Sequence, residues 1–144
     1  MTGLNPNVFT NDAAPSEWVY VTRRFITLQK NLAITPEQVE DGKIKLNGVI
    51  SSVNRSYRDD SSVGFYILAG SWGKDTVIQP PNDIDVFTVL PVDVFHRFNT
   101  RQGNVQSQLL QEVKEALSIT YPQTNTRSDG QVVVVGFNSV IVEV

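Results

Sequence analysis

Two aspartates alternate with apolar residues at the start of the run DIDVFTVL, residues 83–90. Side chains of a strand point alternately to its two faces, so Asp83 and Asp85 share one face. Ile84 and Val86 then point to the core. Like charges side by side repel, and a divalent cation such as Mg²⁺ or Mn²⁺ would stabilise both carboxylates. The pair predicts a metal site; a solvated acidic strand end, a Ca²⁺ loop and a sugar-nucleotide enzyme are the alternatives.

A glycine and a serine follow the apolar run FYILA of residues 65–69. A polar loop that ends in two prolines and an asparagine separates them from the aspartates. Glycine lets the backbone approach a ligand closely, and free N–H groups with a serine hydroxyl can hold phosphate oxygens. We therefore expect Gly70 and Ser71 to hold phosphate, facing the metal ligands across the loop.

A third acid stands in the apolar run NSVIVEV near residue 144. Alternation places Glu143 on one face with Ser139 and Ile141. A glutamate in such a run is costly without a partner. A metal shared with the two aspartates is one such partner, and a strand end open to water is the alternative.

These residues resemble the signature of the DNA polymerase β superfamily of nucleotidyltransferases: Gly-Ser, a loop, then Asp-x-Asp on a strand. Here the signature is Gly70-Ser71, residues 72–82, and Asp83-Ile84-Asp85. The family takes a third carboxylate from a later strand, and Glu143 looks like it. The resemblance implies that the three acids bind two Mg²⁺ or Mn²⁺ ions and that Glu143 assists deprotonation of the acceptor hydroxyl.

The family often continues the turn as Gly-Ser-x-x-Arg-Gly-Thr, and this chain has GSWGKDT. Lys74 keeps the basic position and Thr76 the hydroxyl, while Asp75 stands where the second glycine is usual. The resemblance implies that Gly70, Ser71 and Lys74 bind the β- and γ-phosphates of a nucleoside triphosphate.

More narrowly, residues 101–144 look like the bacterial cGAS/DncV-like enzymes, relatives of oligoadenylate synthetases. This resemblance implies that ATP, GTP or other nucleoside triphosphates are joined into a cyclic di- or oligonucleotide messenger in anti-phage defence. It also implies that residues 1–144 are a catalytic core, which a helical C-terminal part completes. Base choice, ring size and a regulatory protein partner are left open.

Two other functions compete with this one. The first is a catalytically silent binding module on the same fold, like the nucleotidyltransferase-like antitoxins, although the three acids argue against it. The second is a sugar-nucleotide enzyme that uses the Asp-x-Asp alone, which explains neither Gly70-Ser71 nor Glu143.

The composition is that of one ordinary globular domain, with 40% hydrophobic and 19% charged residues among 144. The net charge of −3 does not indicate a nucleic-acid partner. No apolar run is long enough to span a membrane, the N-terminus lacks the features of a signal peptide, and cysteine is absent. We expect a cytoplasmic protein.

Three helices are predicted by apolar periodicity after a loose polar arm at residues 1–14. The first begins near residue 16, and its apolar stripe is expected in the core: Trp18, Val21, Phe25, Leu28 and Leu32. The second begins after the cap Thr35 and reaches about residue 57, with Gly42 and Gly48 weakening it. The third ends near residue 120.

Strands are predicted at residues 65–69, 84–90, 132–135 and 140–144, with a polar loop at residues 121–130 and a short helix or turn at 92–98. The predicted fold is α+β: a polymerase-β-type core whose mixed sheet packs against two long N-terminal helices and a third helix. Trp72 is expected to pack the loop, with base stacking as the alternative. His96 is expected to be a partly buried structural histidine rather than a general base.

Overall fold

The computed structural model describes residues 18–144, so the predicted arm at residues 1–14 lies outside the described part. Five strands form one sheet in the described chain: β1 (Tyr66–Leu68), β2 (Asp83–Thr88), β3 (Asn125–Asp129), β4 (Val132–Gly136) and β5 (Ile141–Glu143). Their order is β1-β2-β5-β4-β3, in which β2 and β5 are parallel and all other neighbours are antiparallel. The sheet is therefore mixed, as predicted.

Five helices accompany the sheet within residues 18–144: α1 (Val19–Leu32), α2 (Pro36–Arg58), α3 (Gly70–Gly73), α4 (Val92–Asn99) and α5 (Val105–Thr120). Helices α2 and α5 pack side by side on one face of the sheet, and α4 packs on α5. The core between helices and sheet is apolar and fully buried at Ile50, Ile84, Leu117, Val135 and Val142. The predicted α+β fold is confirmed.

The start of α2 follows directly from its local sequence. The Thr35 hydroxyl accepts a hydrogen bond from the Gln38 backbone at 3.2 Å, and the Gln38 side chain accepts one from the Thr35 backbone at 2.9 Å. Pro36 occupies the first helical position, where its missing N–H costs nothing. This reciprocal cap confirms the predicted start of the second helix.

The predicted environment of α1 is wrong. The helix forms, but none of its residues is buried, and Phe25 is 62% exposed. The helix is attached at its end, where the Gln79 backbone donates to the Leu32 carbonyl at 2.9 Å. Apolar periodicity shows which side of a helix is apolar but not what covers it. Within residues 18–144 no element buries this stripe.

Strand β3 was predicted as part of a polar loop, and this prediction is wrong. Its sequence NTRSD lacks the apolar alternation of a half-buried strand, because β3 lies at the sheet edge and four of its five residues are exposed. Gly130, at φ 59°, begins the two-residue turn that pairs β3 with the apolar strand β4. The strand is thus specified by its partner and its turn rather than by its own composition.

No helix in the described chain is both long and apolar enough to cross a membrane.

Candidate active site

Strand β2 presents its two aspartates on the face opposite its core residues. Ile84 and Val86 between and after them are 0% and 4% exposed and belong to the core. Asp83 and Asp85 are only partly buried and share the other face. The predicted alternation along this strand is confirmed.

Strand β5 brings the third acid beside them. In the parallel pairing of β2 and β5, Glu143 lies directly opposite Asp85, and Asp83 lies opposite Ile141. Neighbouring strands are about 4.8 Å apart and residues in register share a face. Three carboxylates therefore stand on one face, two of them as a cross-strand pair.

On the other side of β5, the residue paired with Glu143 is apolar. Val134 of β4 is paired with Glu143 and is 1% exposed, and Arg127 of β3 follows one strand further on. Burial raises the pKa of the Glu143 carboxyl, and the charges of Asp85, Asp83 and Asp129 add to this, while Arg127 opposes it. Ionisation of Glu143 is thus less favourable than in water, and a cation on this face would lower its pKa again.

None of the three carboxylates forms an ion pair or a hydrogen bond with another side chain of residues 18–144. Nor are three acidic or histidine side chains gathered closely enough in the described part to hold a metal ion as they stand. The backbone brings the three acids to one face, and side-chain rotation would have to complete a ligand set. As a donor set, unpaired carboxylate oxygens fit Mg²⁺ or Mn²⁺.

The Gly70-Ser71 bend lies against this acidic face. A Cβ on Gly70 would stand 1.7 Å from Oδ2 of Asp85, so a larger residue would overlap that carboxylate. Gly70 also has φ +54°, a backbone conformation that glycine adopts without strain. The Ala69 backbone N–H donates to the Asp85 carbonyl at 2.9 Å. The bend is therefore in contact with Asp85, as the spacing of the motif predicts.

The bend is not an open turn, however, but the first part of the single helical turn α3. Gly73 closes this turn by donating to the Ala69 carbonyl at 2.8 Å, and Thr76 donates to the Ser71 carbonyl at 2.9 Å. Lys74 follows the turn at its far end and is exposed, with no hydrogen bond or ion pair to the residues described. The structure thus places Gly70 on the acidic face and Lys74 at the opposite end of α3.

The backbone at residue 75 accounts for an aspartate at a position where the resembled family usually has glycine. It has φ +55°, in the left-handed region where glycine is the least strained residue. Aspartate is among the few other residues that adopt this conformation readily. The chain therefore tolerates an aspartate at a position whose backbone favours glycine.

Gly70, Asp85 and Glu143 line one pocket of about 400 Å³. The remaining wall is mainly apolar and comes from strand ends and from α5, including Leu109 and Val113. A larger polar groove of about 580 Å³ on α5 contains none of the predicted site residues. The pocket gathers residues of α3, β2 and β5, which are distant along the chain.

Two other candidates do not reach the site. Trp72 is buried at 7% exposure with its ring against Gly42 of α2, so it packs in the interior, as predicted, but on a helix rather than on the loop. His96 is exposed on α4 with its ring edge-on to Phe95 at 5.6 Å, so the prediction of a partly buried histidine is wrong. The sequence reading missed Gly42, which contacts the Trp72 ring; an unexplained glycine inside a helix was the only signal.

Helices on a mixed five-stranded sheet, with acids on two adjacent strands, are consistent with a nucleotidyltransferase core of the polymerase β type. A family model for the Second Messenger Oligonucleotide or Dinucleotide Synthetase domain matches residues 20–144. The chain belongs to this family, whose members use nucleoside triphosphates and whose kind of nucleotidyltransferase generally uses divalent metals. Neither the curated proteins nor the solved structures gave a significant match.

Proposed function

We propose that this protein is a metal-dependent nucleotidyltransferase that joins nucleoside triphosphates into a cyclic di- or oligonucleotide messenger of anti-phage defence. One observation carries the proposal: Asp85 lies opposite Glu143 in the sheet and also touches Gly70 of the bend. An acidic ligand face and a glycine bend suited to phosphate thereby meet at one residue.

Asp83, Asp85 and Glu143 are the residues that would hold Mg²⁺ or Mn²⁺. A pair of such ions, when bound, stabilises charge on the phosphoryl and leaving oxygens and lowers the pKa of the acceptor hydroxyl. The raised pKa of Glu143 supports the metal role, because burial and the aspartates make its negative charge costly without a cation. By the pattern of the resembled family, the Glu143 carboxylate would also assist deprotonation of the acceptor hydroxyl.

The bend would bind the triphosphate. Gly70 lets the substrate approach the backbone, the Ser71 hydroxyl can donate to a phosphate oxygen, and Lys74 would add positive charge after reorientation of its long side chain. In the transfer, the acceptor ribose oxygen forms a bond to the α-phosphorus, the bond from that phosphorus to the β-phosphate bridging oxygen breaks, and pyrophosphate leaves.

The cyclic product, the anti-phage setting and completion by a helical C-terminal part rest on the family rather than on the geometry. They are features of the family whose signature residues this chain carries. A silent binding module is the competing function, and the experiment below separates the two.

The test is to incubate the protein with all four nucleoside triphosphates and Mg²⁺ or Mn²⁺ and to identify products by mass spectrometry. We expect cyclic oligonucleotides and pyrophosphate from the native protein and none from Asp85→Asn. Asp93→Asn, the same change at an exposed site on α4, is the matched control and should leave the products unchanged. Metal-dependent nucleotide binding without any product, from a protein that includes the proposed helical part, would instead identify a silent binding module.

A further inference from the structure

The indole ring of Trp72 fits into a notch on helix α2. A Cβ on Gly42 would stand 2.3 Å from Cη2, 2.9 Å from Cζ2 and 3.2 Å from Cζ3 of that ring. Both residues are buried, and a methyl group at position 42 has no room. The glycine in the middle of α2 is therefore a contact surface for Trp72 rather than a weakness of the helix.

Packing, rather than hydrogen bonding, holds the indole ring of Trp72 in place. The Trp72 Nε1–H is buried and has no hydrogen-bond partner among the residues described, so the indole is not oriented by a polar contact. A ring held by packing alone takes the position that its pocket allows. The depth of the notch at Gly42 then sets how closely Trp72 approaches α2.

Helix α3 also packs tightly against the sheet at two further glycines, Gly70 and Gly73. A Cβ on Gly70 would overlap the Asp85 carboxylate, and a Cβ on Gly73 would stand 2.4 Å from the Leu68 carbonyl oxygen. These two contacts join α3 to the sheet strands, whereas the Trp72 contact joins α3 to α2. A shift of Trp72 out of its notch therefore moves the bend against Asp85.

We propose that Trp72 is a positioning residue, which sets the distance between the Gly70-Ser71 bend and Asp85 by inserting into the notch at Gly42. Its consequence for nucleotide binding rests on the proposed function; its consequence for the bend does not. Catalytic groups must be held to within a fraction of an ångström, so a small displacement of the bend is expected to weaken binding of the metal–nucleotide complex.

The chain offers a matched pair of substitutions on one helix. Gly42→Ala fills the notch under Trp72, and Gly48→Ala meets the Tyr121 hydroxyl, at 2.5 Å from the added Cβ, away from the bend. Both remove a helical glycine, so their effects on helix propensity are equal. Gly42→Ala combined with Trp72→Phe gives the smaller ring room beside the added methyl group and should act as a rescue.

The first measurement needs no ligand. Amide hydrogen exchange of Gly73, whose N–H closes α3, and of Thr76, whose N–H donates to the Ser71 carbonyl, reports whether the turn is held. We expect Gly42→Ala to speed their exchange about tenfold, Gly48→Ala to leave it unchanged, and the double variant to restore it. If Gly42→Ala does not fold, Trp72→Phe alone should also speed exchange, because the smaller ring no longer fills the notch.

The second measurement is calorimetric binding of Mn²⁺ with a non-hydrolysable ATP analogue. We expect Kd to rise about tenfold in Gly42→Ala, equal to about 1.4 kcal/mol, and to recover in the double variant. Equal exchange in the two alanine variants would overturn the positioning role, as would unchanged Kd in a Gly42→Ala protein with faster exchange. Faster exchange in a protein whose native form binds no metal–nucleotide would keep Trp72 as the anchor of the bend and reject the proposed function.

Discussion

Gly70 lies so close to Asp85 that a Cβ on the glycine would overlap Oδ2 of the carboxylate. The contact joins the bend to the acidic face, and it leads to a prediction with an internal control. Gly130 has nearly the same backbone, φ +59° against +54°, but nothing lies within 4 Å of an added Cβ.

Gly70→Ala and Gly130→Ala should therefore share the cost of a left-handed backbone, and only Gly70→Ala should add a steric overlap. The left-handed backbone costs alanine about 1 kcal/mol at either position. Gly70→Ala adds displacement of Asp85, so it should unfold at lower denaturant concentration than Gly130→Ala and lose metal–nucleotide binding. Chemical denaturation and calorimetry measure both effects. Equal losses of stability, with binding kept in both, would contradict the contact.

The charge of Glu143 should make stability depend on pH. Its pKa is raised above the ordinary value of 4.5 in the folded protein, chiefly by burial and then by Asp85. The folded state then binds this proton more tightly than the unfolded chain, so the free energy of unfolding falls as pH rises from 4.5 through the folded pKa. Above that pKa the contribution is lost completely.

Glu143→Gln should remove this fall and stabilise the metal-free protein at pH 7 by about 0.5 kcal/mol, the scale of a solvent-screened charge interaction. Mg²⁺ or Mn²⁺ should then stabilise the native protein more than the variant, which keeps only the two aspartates. Glu40→Gln, an exposed change on α2, is the control and should alter neither result. Denaturation at several pH values checks the first expectation. A Glu143→Gln protein that gains the same stability from metal would show that this carboxylate is not a ligand.

Asp75 gives a prediction about the bend's backbone. Because its φ is +55°, Asp75→Gly should relieve strain and raise stability by about 0.5 kcal/mol, and Asp75→Val should lower it by more than 1 kcal/mol. Asn138→Gly, at an exposed position without positive φ, should slightly destabilise. Thermal unfolding of the three variants decides the point: a less stable Asp75→Gly protein would show that the aspartate side chain matters more than the backbone.

Local features of this chain were predictable, because their causes are close in sequence. The Thr35 cap needs only Gln38 three residues later, and the two aspartates need only the period of a strand. The approach of Gly70 to Asp85 follows from a motif whose first part comes just after β1 and whose second part lies on the adjacent strand β2.

The rest depends on contacts between distant residues. The pairing of Asp85 with Glu143 requires the strand order, which no local pattern encodes. The glycine at position 42 is explained only by the contact of Trp72 with it, which the sequence does not show. The apolar stripe of α1 indicates which side of the helix is apolar but not which element packs against it. β3 forms because β4 and Gly130 impose it, against the weak propensity of its own residues.

The most direct test of the metal site is anomalous diffraction from crystals grown with Mn²⁺ and a non-hydrolysable nucleoside triphosphate. We predict manganese peaks within about 2.5 Å of carboxylate oxygens of Asp83, Asp85 and Glu143, with the triphosphate against Gly70 and Ser71. A bound triphosphate with no manganese at these carboxylates, or manganese held without Glu143, would contradict the account.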